Sequence, residues 1–211
     1  MINNRNLIAV LVVVAVLTIA ATTAGCTSSN TPSPTPSPIP ATQTTVGNNT
    51  TFSSSAGFNI TFPKNLAMDR TDTENASQPV RVYVYLNPNN TTDGVVVATE
   101  GLASGTTLND FVNAKVTNLK NANSTGVYKN FTILNETNST IAGKPAHTMV
   151  FSAIFPVQYN MTTATNTSLK MTQTWVVNNK TGYVITYKTI SSDYDTYLAQ
   201  AQRIMNSFVL T

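Results

Sequence analysis

The sequence predicts an α+β domain, an antiparallel sheet of about six or seven strands with helices packed on it. Three observations lead there. Apolar and polar residues alternate in several short segments, the period of half-buried strands. Two other segments switch to helical spacing. Short Asn- and Gly-containing turns join neighbouring strands, which fits antiparallel pairing.

The first strand is carried by Phe58, Ile60 and Phe62 on one face, with Asn59 and Thr61 on the other. Val80, Val82, Val84 and Leu86 then oppose Arg81, Tyr83 and Tyr85, and Val95 to Ala98 form a fully apolar run. Thr107 and Asp110 form a capping pair ahead of Leu108, Phe111, Val112, Val116 and Leu119, which share one helical face. Phe131 and Ile133 alternate with Asn130 and Thr132, and His147 to Phe155 makes a longer strand. A polar loop is expected from there to about Ser168. Leu169, Met171, Gln173, Trp175 and Val177 alternate next, and the turn through Asn178, Asn179, Lys180 and Gly182 returns the chain into Tyr183, Ile185 and Tyr187. Ser192 and Asp195 repeat the capping pattern before a second helical stripe containing Tyr194, Leu198, Ala201, Ile204, Met205 and Phe208. Each helix has a single apolar stripe, so each should lie on the sheet through that stripe.

Upstream of the domain the composition is of two other kinds. Residues 1–26 have the plan of a secretory signal: a short polar start with Arg5, an apolar core from Leu7 to Ala21, and Ala24-Gly25 before Cys26. Cys26 is the chain's one cysteine, so it has no partner for an internal disulfide, and its position is that of a lipidated cysteine. The bacterial-type lipobox has an aliphatic residue where Thr23 stands. A second reading is an uncleaved helix, since Ile8 to Gly25 would extend roughly 27 Å, close to the ~30 Å of a hydrocarbon core. Both readings place the rest of the chain outside the cytoplasmic membrane, anchored to its outer face. Residues 27–50 follow as a Ser/Thr/Pro-rich stretch, with Pro32, Pro34, Pro36, Pro38 and Pro40 at alternate positions. That density favours extended, core-free chain, expected here to be a disordered tether. The globular domain is expected over 51–211.

The domain is dense in Asn-x-Ser/Thr triplets. Candidate N-glycosylation sites are Asn59, Asn75, Asn90, Asn123, Asn135, Asn138, Asn160, Asn166 and Asn179, and further triplets begin at Asn48, Asn49, Asn89 and Asn130. Adjacent pairs such as 48/49 and 89/90 have room for one glycan. Charged residues are 10% of the chain, against about 25% in ordinary domains. Neutral polar groups and sugars would therefore supply solubility. Sequons combined with a lipobox-like signal point to an archaeal cell surface. A formal net charge of +3 is too weak to imply nucleic acid as a partner.

No local motif reveals a reaction. The chain lacks the Rossmann and Walker glycine patterns and the Gly-x-Ser-x-Gly elbow. Its one histidine, His147, falls at a turn-to-strand junction, where a structural role is expected. Asp69, Asp72 and Glu74 lie close together, but their spacing is not that of an EF-hand and a solvated loop is expected. No catalytic residue, cofactor or metal is expected. Arg81, Tyr83 and Tyr85 are the candidate partner surface, exposed if helices cover one sheet face and packed under a helix otherwise.

The motifs together resemble a family. Gly57-Phe58-Asn59-Ile60-Thr61-Phe62-Pro63 is similar to the Gly-Phe-x-Ile-x-Tyr-Pro first strand of PsbP-like domains, with Phe62 in the place of Tyr. Thr107 to Phe111 resembles their first long helix, Gly143-Lys144-Pro145-Ala146 their Gly-x-x-Ala turn, and Tyr183 to Phe208 their final strand and closing helix. The resemblance spans 52–211 and implies an α/β/α sandwich. The namesake is an extrinsic subunit of the photosystem II oxygen-evolving complex, while many relatives have no assigned activity. The resemblance therefore implies a non-catalytic binding or accessory domain, with an envelope or surface protein as partner. The alternative is a cell-envelope hydrolase whose site leaves no local motif.

Overall fold

The computed structural model describes residues 42–71, 79–160 and 163–211, and side chains outside 156–165. Cys26, Asp72, Glu74 and Asn75 lie outside the described residues, as does the side chain of Asn160. In chain order the strands are β1 (Thr42–Val46), β2 (Asn49–Ser54), β3 (Phe58–Pro63), β4 (Met68–Thr71), β5 (Arg81–Asn87) and β6 (Asn90–Gly101). Helix α1 (Leu108–Ser124) follows, then β7 (Lys129–Ile141), β8 (Lys144–Asn160), β9 (Thr163–Asn178) and β10 (Thr181–Ile190). A 3-10 turn, Ser191–Asp193, leads into α2 (Tyr194–Asn206), and β11 (Val209–Leu210) ends the chain.

Seven strands pair in the order β4-β5-β6-β10-β9-β8-β7, and four more in the order β1-β2-β3-β11. The pairs are antiparallel throughout. The large sheet is the middle layer. Its alternation sends Val82, Val84, Val95, Val97, Ile185 and Tyr187 to one side, into a core with Phe52, Phe58, Ile60 and Phe62 of the small sheet and Ala201, Ile204 and Met205 of α2. The opposite side carries a second core, where Phe111 and Leu119 of α1 meet Met149, Phe151, Leu169, Met171 and Trp175. The architecture is thus α+β, with helices on both faces of the sheet.

Three local expectations are corrected. The stretch expected to be polar loop before Ser168 is instead paired strand: Phe155 lies opposite Thr167 and Pro156 opposite Asn166, so β8 and β9 form one long hairpin. The residues permit this on the outgoing strand, where Phe155, Val157 and Tyr159 continue the period-two alternation, while the Thr- and Asn-rich return from Thr163 to Ser168 carries little apolar signal and is held through its backbone pairing. Paired structure begins at Thr42, not at 51, because β1 pairs with β2 from Thr42–Ser53 to Val46–Asn49. Every β1 side chain is exposed, and its pairing rests on the backbone with one hydroxyl contact, Thr45 to Thr50 at 3.3 Å. The third correction concerns α2. Thr107 forms the expected capping box with Asp110 on α1, but Ser192 and Asp195 form none. The 3-10 turn runs straight into α2, so no extended residue precedes the helix, and the Ser192 hydroxyl donates to Asp193 at 2.9 Å.

Hydrogen bonds tie the chain's end to the small sheet. The Ser207 hydroxyl donates to the Thr61 carbonyl at 2.9 Å and accepts from the Thr61 amide at 2.8 Å. Tyr183 of the large sheet donates to the Ala56 carbonyl at 2.9 Å, in the turn where Gly57 adopts a φ of +79°.

Candidate functional site

The site is built from the residues on the α1 side of the large sheet. Helix α1 lies over β7, β8 and β9. At the start of β10 it seats Phe111 against Gly182, where a Cβ would come within 2.6 Å of the ring. Toward β6 and β5 the helix gives out. Between its flank and the sheet lies a cleft of about 90 Å3, lined on one side by Leu119, Tyr128, Phe155 and Met171 and floored by Val96, Ala98, Val184, Gln173, Thr186 and Lys188. Gln173 and Thr186 are buried and directly opposite each other across β9 and β10, and Lys188 lies opposite Met171.

Two lysines line this cleft in different electrostatic settings. Lys115 of α1 is buried, donates to Glu100 and lies 5.1 Å from the centroid of the Phe111 ring, so its charge is compensated. Lys188 is half-buried, and among the described residues it has no carboxylate within ion-pair distance. Its ammonium lies 5.4 Å from the centroid of the Tyr83 ring. Burial pushes its pKa down to about 8, opposed in part by the more distant Asp93.

The three residues expected to form a partner surface stand beside the cleft. Register places Arg81 opposite Ala98 and Tyr83 opposite Val96, so both share the cleft's face. Tyr83 is buried, though not beneath a helix. Its ring covers Gly94, where a Cβ would come within 2.3 Å of it, and lies tilted by 39° against Tyr85 with 4.4 Å between ring centroids. Its hydroxyl donates to the carbonyls of Thr91 and Thr92 at 2.8 and 3.0 Å. Burial raises its pKa well above the usual phenol value. Tyr85 is half-buried and donates to Asp69 at 2.6 Å. The Arg81 Nε is buried and, among the described residues, has no hydrogen-bond partner.

The residues considered for chemistry are dispersed. His147 stacks on Trp175 at 5.8 Å and 8°, with Nδ1 3.2 Å from the Asn138 Oδ1 and Nε2 3.9 Å from Glu136. Asp93 is fully buried on the other face of the sheet, accepting from Thr189 at 2.7 Å and Asn90 at 2.9 Å. Asp69 is exposed on β4. Neither Asp69 nor Asp93 meets His147 in a common pocket.

Among the sequons, Asn135, Asn138, Asn166 and Asn179 are exposed, while Asn59, Asn90 and Asn123 are half-buried. The amide nitrogen of Asn90, which would carry a sugar, is the group that donates to Asp93. Its neighbour Asn89 is exposed. Asn123 accepts from the Phe131 amide at 3.1 Å, closing the chain after α1.

Sequence reasoning missed Lys188, Gln173 and Thr186. In β9 the signal was a polar Gln173 inside the apolar series Leu169, Met171 and Trp175; in β10 it was Thr186 and Lys188 at even positions, alternating with the buried Ile185 and Tyr187. Alternation alone reads those β10 positions as solvent-facing.

No family model matches the sequence, and no curated protein does. Among solved structures the chain is similar to cyanobacterial PsbP from Synechocystis sp. PCC 6803, with a TM-score of 0.55 and 17% identity over 79% of this chain and 95% of that one. It also aligns with a protein of unknown function from Pseudomonas aeruginosa, described as a putative regulator (TM-score 0.45, 12% identity, 78% and 99% covered). A third alignment is with LpqN of Mycobacterium tuberculosis, involved in cell envelope biogenesis (TM-score 0.41, 10% identity, 70% and 92% covered). The first of these carries the comparison, and with the sheet order and the two helices it shows that this chain has a PsbP-like fold.

Proposed function

We propose that this protein is a membrane-anchored extracytoplasmic module whose PsbP-like domain binds a partner or ligand and does not turn over a substrate. The observation that carries the reading is the cleft beside α1, where apolar walls meet a few convergent polar groups, the general composition of a binding site. Arg81, Tyr83 and Tyr85 extend the same face toward the sheet edge at β4. The sequence supports the address. A lipid on Cys26, or an uncleaved leader helix, would hold the domain at the outer face of the cytoplasmic membrane on a Ser/Thr/Pro-rich tether. Glycans at exposed sequons would suit that surface, with Asn89 the better placed of the 89/90 pair.

The test has two arms. Cys26→Ser in the native host should release the protein from membranes or abolish lipid labelling; an intact residue 1–25 segment on the mature wild-type protein would identify the helix anchor instead. The wild-type full chain should recover a reproducible partner or ligand by native purification. Hydrolase turnover that His147→Ala abolishes would overturn the binding reading.

A further inference from the structure

We infer that the cleft between α1 and strands β6, β9 and β10 is a binding site for a small organic carboxylate with an apolar body. This deepens the binding reading above and rests on it. The case begins with a charge. An ammonium removed from water is costly unless an anion compensates it. The cleft's two lysines provide an internal comparison: Lys115 has Glu100, whereas Lys188 faces the cleft with, among the described residues, the Tyr83 ring and a distant, fully occupied Asp93 nearby. Asp93 sits on the opposite face and already accepts from Asn87, Asn90, Thr189 and the Ile190 amide. The cleft thus holds one uncompensated cation, which matches one negative charge on a ligand.

The neighbouring groups fit the rest of a carboxylate. Gln173 and Thr186 are opposite each other on adjacent strands and line the same cleft, so an amide and a hydroxyl share it with the ammonium. Two ligand oxygens have several donors to share, and a charge-assisted hydrogen bond to Lys188 would be the strongest of them. Arg81 adds an independent sign on the same face, a buried Nε with no hydrogen-bond partner among the described residues. The other wall is apolar, formed by Leu119, Tyr128, Phe155 and Met171. A volume of about 90 Å3 admits a short chain and excludes a bulky ring system. Head and body requirements together describe a short-chain amphiphilic acid.

The test uses the full chain reconstituted in lipid nanodiscs, titrated with hexanoate and followed by saturation-transfer NMR, with empty discs as the blank. Hexanoate should bind saturably, and hexanol and hexyl phosphate should each bind about tenfold more weakly or worse. Lys188→Met should weaken hexanoate about tenfold, and Lys188→Gln should do the same while keeping a polar group in place. Lys120→Met, an exposed position on α1 outside the cleft, should bind as wild type. Urea midpoints no lower than wild type exclude unfolding as the cause. Equal binding of hexanol, tighter binding of hexyl phosphate, indifference to both Lys188 variants, or absence of saturable binding would each overturn the proposal. Such a failure with partner capture intact would leave the broader binding reading standing; turnover lost on His147→Ala would remove both.

Discussion

The two faces of the large sheet are made by the same strands and differ in what covers them. On the α2 side, the small sheet and the helix together close the surface, and Val84, Val95, Val97, Ile185 and Tyr187 are completely buried. On the α1 side, one helix covers β7 to β9 and stops, so that Val96, Thr186 and Lys188 of the central strands line a cleft. The closed face stores stability, because each apolar side chain removed from water contributes about 1.5–3 kcal/mol. The open face gives up part of that burial and gains a place where polar groups meet an apolar wall. The lesson is that alternation assigns residues to faces, while coverage decides what a face is for.

The comparison is tested most severely on the closed face. Phe58 is fully buried and packs on Phe52, Tyr183 and Phe208, so Phe58→Ala should cost about 3–5 kcal/mol in urea unfolding. A loss below about 1 kcal/mol would mean that the small sheet is not part of that core. On the open face the sharpest steric demand is at Gly94. A Cβ there would come within 2.3 Å of the Tyr83 ring and 2.7 Å of the Val84 carbonyl, so Gly94→Ala should cost about 1–3 kcal/mol and disturb Tyr83 fluorescence.

A third test separates the faces by pH. The Lys188 pKa is lowered to about 8 in the folded state, so between about 8 and 10 the unfolded chain binds a proton that the folded chain lacks. Stability therefore rises with pH across that window, on the order of 1 kcal/mol once solvent screening of a half-buried group is allowed for. Above about 10 the sign reverses, because burial raises the Tyr83, Tyr128 and Tyr187 phenols and the folded chain keeps protons that the unfolded chain loses. Lys188→Met should flatten the rise and leave the fall, as read from urea midpoints at successive pH values. The smallest effects distinguish the helices. Thr107→Ala removes a formed capping box from α1 and should cost about 1 kcal/mol, whereas Ser192→Ala should cost less than about 0.5 kcal/mol because no cap forms there. Equal losses would erase that difference between the helix starts.

Much of this contrast was legible in the residues. The alternations at Phe58–Phe62, Val80–Leu86 and Tyr183–Tyr187 put those side chains on the correct faces, and the capping residues of α1 marked its start. Legibility failed where pairing is carried mainly by the backbone. The exposed β1 and the Thr- and Asn-rich start of β9 present no apolar period, and hydrogen bonds between main chains are indifferent to side-chain identity. On β8 the alternation of Phe155, Val157 and Tyr159 was legible, and the expectation of a loop there missed it. Legibility failed again at α2, where Ser192 and Asp195 have the residue types of a cap but not the backbone conformation. The candidate site was half visible. Arg81, Tyr83 and Tyr85 were singled out for sharing a face, but their neighbours across the sheet come from chain segments about a hundred residues away, such as Thr186 and Lys188.

By itself, then, the sequence determined the period of most core elements, the face their side chains take, and the likeness to a PsbP-like domain. These are local properties, set by backbone geometry and the nearest few residues. Only the tertiary structure decided that β10 lies between β6 and β9, that α1 covers half of a face, and that Lys188 faces an apolar wall without a carboxylate while Lys115 has Glu100. Those outcomes depend on which distant segments pair and how far a helix reaches across them, and the free energy of a buried charge depends on neighbours that local sequence does not name.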